Sequence, residues 1–239
     1  MANPDVLIVG GGVIGMMTAR ELADGGAKVL IIDKGSLASE ASWAGGGIVA
    51  AALADLIADE DGPTIVIQDP RTSSPGLGLV LWMREVYGEG AAEAWRKLKP
   101  RIVTVTRGWS EAYGMFTNGE ADMVLSYTTS PAYHLVNEQT GHYKAAPFSE
   151  GHVAQIELAA ITKTADNPEL ARNFIAFLTS DEAQQIIPVT NWMLPVRDGI
   201  TLPDAFDQLI EPTRIGFSAK EMAEQRKSWL REWRNAAAQ

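Results

Sequence analysis

The feature that most constrains this chain is the run Gly10-Gly11-Gly12-Val13-Ile14-Gly15, which follows at once on the apolar stretch Asp5-Val-Leu-Ile-Val9. A short, continuously apolar run has the pattern of a parallel strand buried on both faces. The glycines after it fit G-x-G-x-x-G. Met16 to Asp24 has helical spacing, Gly25-Gly26 stops that helix, and Val29-Leu-Ile-Ile32 reads as a second buried strand closed by Asp33. A strand, a glycine turn, a helix and a second strand predict a Rossmann-type βαβ fragment. In such a unit Gly10 makes the tight turn, Gly12 lets a pyrophosphate approach the backbone, and Gly15 lets helix and strand pack closely. Asp33 stands about 20 residues on, where a ribose-binding acid belongs. The other reading of the same glycines is turn and packing alone.

After residue 50 the pattern changes. Ala52–Ala58 has the spacing of a short amphipathic helix, Asp59–Pro63 is a turn cluster, and Thr64–Ile67 reads as a strand. Gln68-Asp-Pro-Arg-Thr-Ser-Ser74 leads into a helix through Trp82 to Tyr87, with Ser73 or Ser74 at its N-cap and Pro75 in its first turn. Hydroxyls and free amides at a helix start can serve an anion, and they can equally serve as plain caps. A strand from Val103 gives way to a helix at Gly108-Trp109, and the strand Met123–Ser126 opens into Tyr127-Thr-Thr-Ser130. Aromatic and hydroxyl residues therefore recur at successive strand ends, and open α/β sheets bind ligands beyond the carboxyl ends of their strands. Further on, Asn167–Leu178 predicts an amphipathic helix. Gln155-Ile-Glu-Leu158 predicts an apolar strand with Glu157 facing solvent, and Ser218-Ala-Lys-Glu221 fits a capping box that opens a helix through Trp229 and Trp233.

Composition removes several function classes. The net charge is −10, which disfavours a nucleic-acid partner, because phosphate neutralisation needs clustered Lys and Arg. The chain has no cysteine, so thiolate catalysis, disulfides and Cys-based zinc sites are out, and its three histidines lack H-E-x-x-H spacing, so no metal site is expected. No stretch reaches the roughly 18 apolar residues of a membrane span. The first residues carry neither the basic region nor the cleavage site of a secretory signal, so the expected location of the chain as written is the cytoplasm.

Two resemblances follow from these motifs. Gly10–Gly15 with Asp33 and Ala41-Ser-Trp-Ala-Gly-Gly-Gly-Ile-Val49 resembles the N-terminal segment of FAD-dependent amino-acid oxidases of the glycine oxidase type, used in thiamine biosynthesis. That implies FAD as a possible cofactor, held through Gly10, Gly12, Gly15 and Asp33. The resemblance covers about fifty residues, so the motif is expected to be vestigial, with no catalytic residue and no cofactor required.

The strings Gln68–Ser73, Gly108–Tyr113, Leu125–Tyr133, Phe148–His152, Asn191–Met193 and Gln225–Trp229 resemble, in order, the thiamine-binding periplasmic protein of bacterial ABC transporters. That family has a two-lobed fold with its ligand in the cleft, and it works with a transporter permease. The resemblance implies that Ser73, Ser74, Trp109, Tyr127, Thr128, Thr129, Ser130 and Trp192 contact thiamine or its phosphates. Aromatic faces suit the thiazolium cation, and hydroxyls at helix starts suit the hydroxyethyl group or phosphates.

The expected organisation is a partial dinucleotide-binding βαβ over 1–50, a junction and first-lobe remnant over 51–67, a ligand-binding second lobe over 68–190 and a C-terminal helical segment over 191–239. The expected fold class is α/β, a periplasmic-binding-protein-like second lobe with C-terminal helices behind a Rossmann-type fragment. With most of the first lobe lacking, thiamine affinity is expected to fall, and the Trp229/Trp233 face needs a substitute partner or stays exposed. An FAD-dependent oxidoreductase and a gene fusion without function stand as the alternatives.

Overall fold

The computed structural model describes residues 6–9, 20, 22–32 and 52–237. Gly10, Gly12, Gly15 and Asp33 lie outside the described residues. By chain contacts the molecule separates into Met1–Val49 with Thr140–Lys144, and Ala50–Gln139 with Ala145–Gln239.

In the first unit, β1 (Val6–Val9) pairs parallel with β2 (Val29–Ile32), Val6 opposite Val29 and Val9 opposite Ile32. Parallel neighbours need a crossover, and the described part of it is helical at 22–24. The helix ends as its glycines predict. Gly26 adopts a φ of 90°, its N–H donates to Ala23, and Ala27 N–H donates to Leu22. Only a glycine takes that conformation at little cost.

The second unit opens with α1 (Leu53–Ala58), whose first two described amides, at Leu53 and Ala54, donate to the Glu150 carboxylate at 3.0 and 3.2 Å. A three-stranded parallel sheet follows in the order β4-β3-β5, with β3 (Ile65–Gln68) central between β4 (Ile102–Thr106) and β5 (Met123–Val124). All four β3 residues are buried, as a central parallel strand requires. Alternate β3 side chains serve different layers. Ile65 and Ile67 join the main core with α1, α2 (Ser74–Tyr87), α3 (Ala91–Leu98) and α8 (Ala219–Ala236). Val66 faces the other way, against Ala112 and Met115 of α4 (Trp109–Thr117) and Val124 of β5.

The C-terminal helix settles where its tryptophans go. Ser218 and Glu221 form both halves of the capping box. One α-helical turn separates Trp229 from Trp233, so both fall on one face. That face is covered within the unit: Trp229 is 6% exposed and Trp233 1%, packed with α2 and α3. Of the two expected outcomes, a substitute partner or an exposed patch, the helix shows the first: α2 and α3 cover this face.

Apolar surface is exposed elsewhere. On α6 (Pro168–Leu178), capped by Asn167 through Leu170 N–H at 2.9 Å, Leu170, Phe174 and Phe177 are exposed. The strand predicted at Gln155–Leu158 is an irregular segment in which Leu158 is 91% exposed. The nearby β6 (His152–Val153) pairs with β7 (Arg214–Ile215) over two residues only, so no described ladder extends to 155–158. Glu157 is exposed, as expected. The remaining helices are α5 (Ser130–Asn137) and α7 (Asp181–Thr190). No helix among the described residues is long and apolar enough to cross a membrane.

Candidate ligand-binding site

The strand order fixes where a ligand can sit. From β3 the chain moves to β4 on one side, and from β4 it crosses to β5 on the other. Right-handed crossovers then place α2 and α4 on opposite faces, as the two-layer packing of β3 shows. The loops after β3 and β4 leave their strand ends in opposite directions and open a crevice between them, the usual binding position in an open parallel sheet. An open depression lies there, lined by Thr72, Arg107, Gly108, Trp109, Ser110 and Glu111.

Backbone and side-chain bonds tie its walls together. Asp69 N–H donates to Thr106 O at 2.9 Å, extending the β3–β4 pairing past the strand end, and Thr72 Oγ1 donates to Arg107 O at 2.7 Å across the two loops. Gln68, buried at the end of β3, donates through Nε2 to Leu125 O at 3.0 Å and holds the β5 exit against the same edge. The first turn of α2 rests on this edge so closely that a Cβ at Gly76 would overlap the Gln68 carbonyl oxygen.

Three helix starts meet this edge. Ser73 is the N-cap of α2, yet its hydroxyl makes no capping bond, and Ser74 is exposed. The cap of α4 is Gly108, which has no side chain to offer, and Glu111 accepts Arg107 N–H at 3.3 Å. At α5 the cap is Thr129, buried and without a side-chain capping bond. At α5 the first-turn amides are already used, Ser130 N–H donating to Tyr127 O and Ala132 N–H to Thr129 O, and Pro75 and Pro131 have no N–H.

Trp109 is the best-anchored side chain of the group. Its Nε1–H donates to Ser126 Oγ at 2.8 Å, and Ser126 Oγ lies 2.7 Å from Ser130 Oγ. Tyr113, one helical turn on, stacks against the indole with centroids 4.5 Å apart and planes 23° apart. Tyr127 lies 6.4 Å from it at a tilt. Burial raises the Tyr127 phenol above its ordinary value, with the Gln155 hydrogen bond opposing and Glu157 adding to the shift, so it stays protonated at neutral pH. In the neighbouring loop, Arg71 grips Asp69 at 2.5 Å and holds that carboxylate below its usual range.

Of the residues singled out in the sequence, Trp109 alone lines the depression. Ser73 and Ser74 start the helix beside it. Tyr127 and Ser130 support Trp109 from the β5 exit, and Thr128 is half-buried in the same loop. Trp192 stands farther along, edge-on to Tyr133 at 5.4 Å and packed with Leu135, Ala205 and Phe206. Sequence reasoning missed Thr72, Arg107, Ser110 and Glu111 as lining residues, although their places just past strand ends carried the signal. It also missed Tyr113, Ser126 and His134, which reach Trp109 only through the tertiary fold. Among the described residues no group of three or more His, Asp or Glu side chains is placed to hold a metal ion.

Comparison with known proteins adds two kinds of relative. A family model described as FAD dependent oxidoreductase matches residues 5–227. The thiamine-binding periplasmic protein of Salmonella typhimurium is 51% identical over 187 residues, 78% of this chain and 57% of that protein. Glycine oxidase of Pseudomonas aeruginosa is 58% identical over 202 residues, 81% of this chain and 48% of the enzyme. A solved structure, a periplasmic thiamin binding protein, superposes with a TM-score of 0.79 at 49% identity, over 81% of this chain and 61% of that one. The chain thus spans about half the length of the curated relatives it matches.

Proposed function

The chain belongs to the FAD dependent oxidoreductase family by its match over residues 5–227, yet most of the same residues carry the fold of a thiamine-binding periplasmic protein, and from that overlap we propose that its working site is the crevice at Trp109, which takes thiamine or a thiamine phosphate. One observation carries the reading: Trp109 lies in the depression at the reversal of strand order, one ring face on Tyr113 and its N–H held by Ser126. An indole held in place offers a face to a flat cation, an attraction of roughly 0.5–2 kcal/mol. The hydroxyls of Ser73, Ser74 and Ser130 and the first-turn amides of α2 and α4 supply donors for a hydroxyethyl or phosphate tail. Tyr127, Thr128, Thr129 and Trp192 complete the set, the last two from buried or packed positions that give them a shaping role.

No step of this reading is chemical, and it calls for no cofactor. The chain acts as the binding component that hands its ligand to a transporter permease. Small-molecule affinity follows how much of the ligand surface a site buries, and Trp109, held on the wall of the crevice, supplies the main apolar face. Isothermal titration with thiamine tests this. Saturable one-to-one binding, lost in Trp109→Ala, is expected. No heat at millimolar thiamine overturns it.

A second reading rests on the oxidoreductase match and on the parallel β1–β2 pair, whose ends at Val9 and Ile32 lie side by side. Those strand ends lead into Gly10 and Asp33, which suits a dinucleotide. Bound there, a flavin would supply two-electron oxidation of an amine, with Gly10, Gly12, Gly15 and Asp33 holding the nucleotide. A visible flavin spectrum in the purified protein, or uptake of added FAD, favours this reading; a colourless protein that takes up none rejects it.

A further inference from the structure

We infer that His134, Tyr113 and Glu138 form a strut that positions Trp109 for its ligand; the inference rests on the thiamine reading of the site. His134 is 2% exposed on α5, and its ring is bonded at both nitrogens. Nδ1 lies 2.6 Å from the Glu138 carboxylate, one turn further along the same helix. A carboxylate accepts only, so Nδ1 carries the proton, and in the neutral imidazole Nε2 accepts the Tyr113 O–H at 2.8 Å. Tyr113 and His134 rings lie 5.8 Å apart and nearly parallel, and Tyr113 in turn stacks on Trp109.

The indole is thereby fixed from two directions. Ser126 and Ser130 hold its N–H from the β5 exit, and the Tyr113 ring, tethered to α5 by His134, backs one face. Without the tether, Tyr113 loses the hydrogen bond that sets its ring against the indole, and the ligand must pay for ordering a less constrained pair of rings. None of the three strut residues lines the depression. Their effect on the ligand passes through Trp109, and they are positioning residues.

Tyr113→Phe keeps the stacked ring and removes only the tether, and Glu138→Gln weakens the strut at its exposed end. Two readouts are taken on these variants and on His134→Gln. The first is the indole N–H resonance of Trp109 in a ¹⁵N spectrum of the ligand-free protein, identified by its loss in Trp109→Phe. The second is thiamine titration well below the melting temperature. The strut predicts a shifted or doubled Trp109 resonance in Tyr113→Phe, and affinity about tenfold weaker. It also predicts a Tyr113→Phe/His134→Gln double variant no weaker than its weaker single variant, because both cut one connection. A Trp109 resonance unmoved in Tyr113→Phe overturns the strut, even where the melting temperature falls. Wild-type protein that ignores thiamine overturns the thiamine reading instead, and the resonance still decides the strut.

Discussion

Trp233 provides the sharpest test of how the second unit is held together. It is 1% exposed in the main core, the Arg71 guanidinium lies 5.9 Å from its ring centroid, and its Nε1–H finds no acceptor among the described residues. Two substitutions separate these features. Trp233→Ala empties the site, and a large aromatic lost from a core costs about 3–5 kcal/mol. Against a domain stability of roughly 5–15 kcal/mol, that is about a fifth or more. Trp233→Phe removes three heavy atoms, two of them carbon and one the indole nitrogen, a loss of about 2 kcal/mol at ~0.8 kcal/mol per methylene-sized group. It also removes an unpaired buried donor, whose desolvation costs ~1–3 kcal/mol. The two effects offset, and Trp233→Phe should lie within about 1 kcal/mol of the parent. Urea unfolding followed by far-ultraviolet circular dichroism measures both. With a slope near 2 kcal/mol per molar urea, the Ala variant loses about 2 M of midpoint and the Phe variant under 1 M. Equal losses in the two variants would refute the account, because the indole N–H would then contribute as a bonded group rather than as an orphan.

Three further outcomes follow from the same geometry. Gly76→Ala drives a methyl into the Gln68 carbonyl, so it should destabilise by about 1–3 kcal/mol as overpacking does and weaken thiamine binding, read by thermal melting and titration together. Trp109→Ala should leave the melting temperature within a few degrees, since the ring is half-buried, while it abolishes measurable thiamine binding. Glu150 is the acid-sensitive clip. Burial raises its carboxyl, but its own backbone N–H and those of Leu53 and Ala54 outweigh that, and its net value falls below the ordinary 4.5. A depressed folded value means that the unfolded chain takes up the proton first as pH falls. The clip therefore stabilises fully above pH 4.5 and is lost as pH drops through the lower folded value. The difference in urea midpoint between parent and Glu150→Gln should shrink on going from pH 7 to pH 3, and a difference that stays constant contradicts the assignment.

Local signals account for what could be read from the sequence. Pro75 marks the start of α2 because its fixed φ and missing N–H suit a first turn, while Ser218 and Glu221 at the start of α8 and Gly25-Gly26 at the end of the first crossover helix satisfy backbone groups within a few residues. The three strand-end loops were legible for the same reason: short apolar runs followed by glycine, proline and hydroxyl residues have few alternatives. What escaped was set by partners distant in sequence. Nothing local tells Trp233 that α2 and α3 will cover it. Gln155–Leu158 has the composition of a strand, but a strand needs a neighbour to pair with, and among the described residues none lies beside it. The reach of His134 to Tyr113 depends on α4 and α5 standing next to each other, which only the order β4-β3-β5 determines.

That strand order also bears on the two family matches that overlap in this chain. A dinucleotide site needs its glycine turn and acid at the ends of neighbouring parallel strands, and β1 and β2 present their ends in that way at Val9 and Ile32. A second carboxyl-edge crevice, between β3 and β4, lies in a different unit and carries an anchored indole with hydroxyls around it. The two sheets share no strand. Loss of one site therefore need not disturb the other. Trp109→Ala should remove thiamine binding without changing any uptake of FAD, and Gly12→Val should do the reverse. A single substitution that removed both would mean that one of the two ligands is bound through the other's unit, and the assignment of thiamine to the Trp109 crevice would have to be given up.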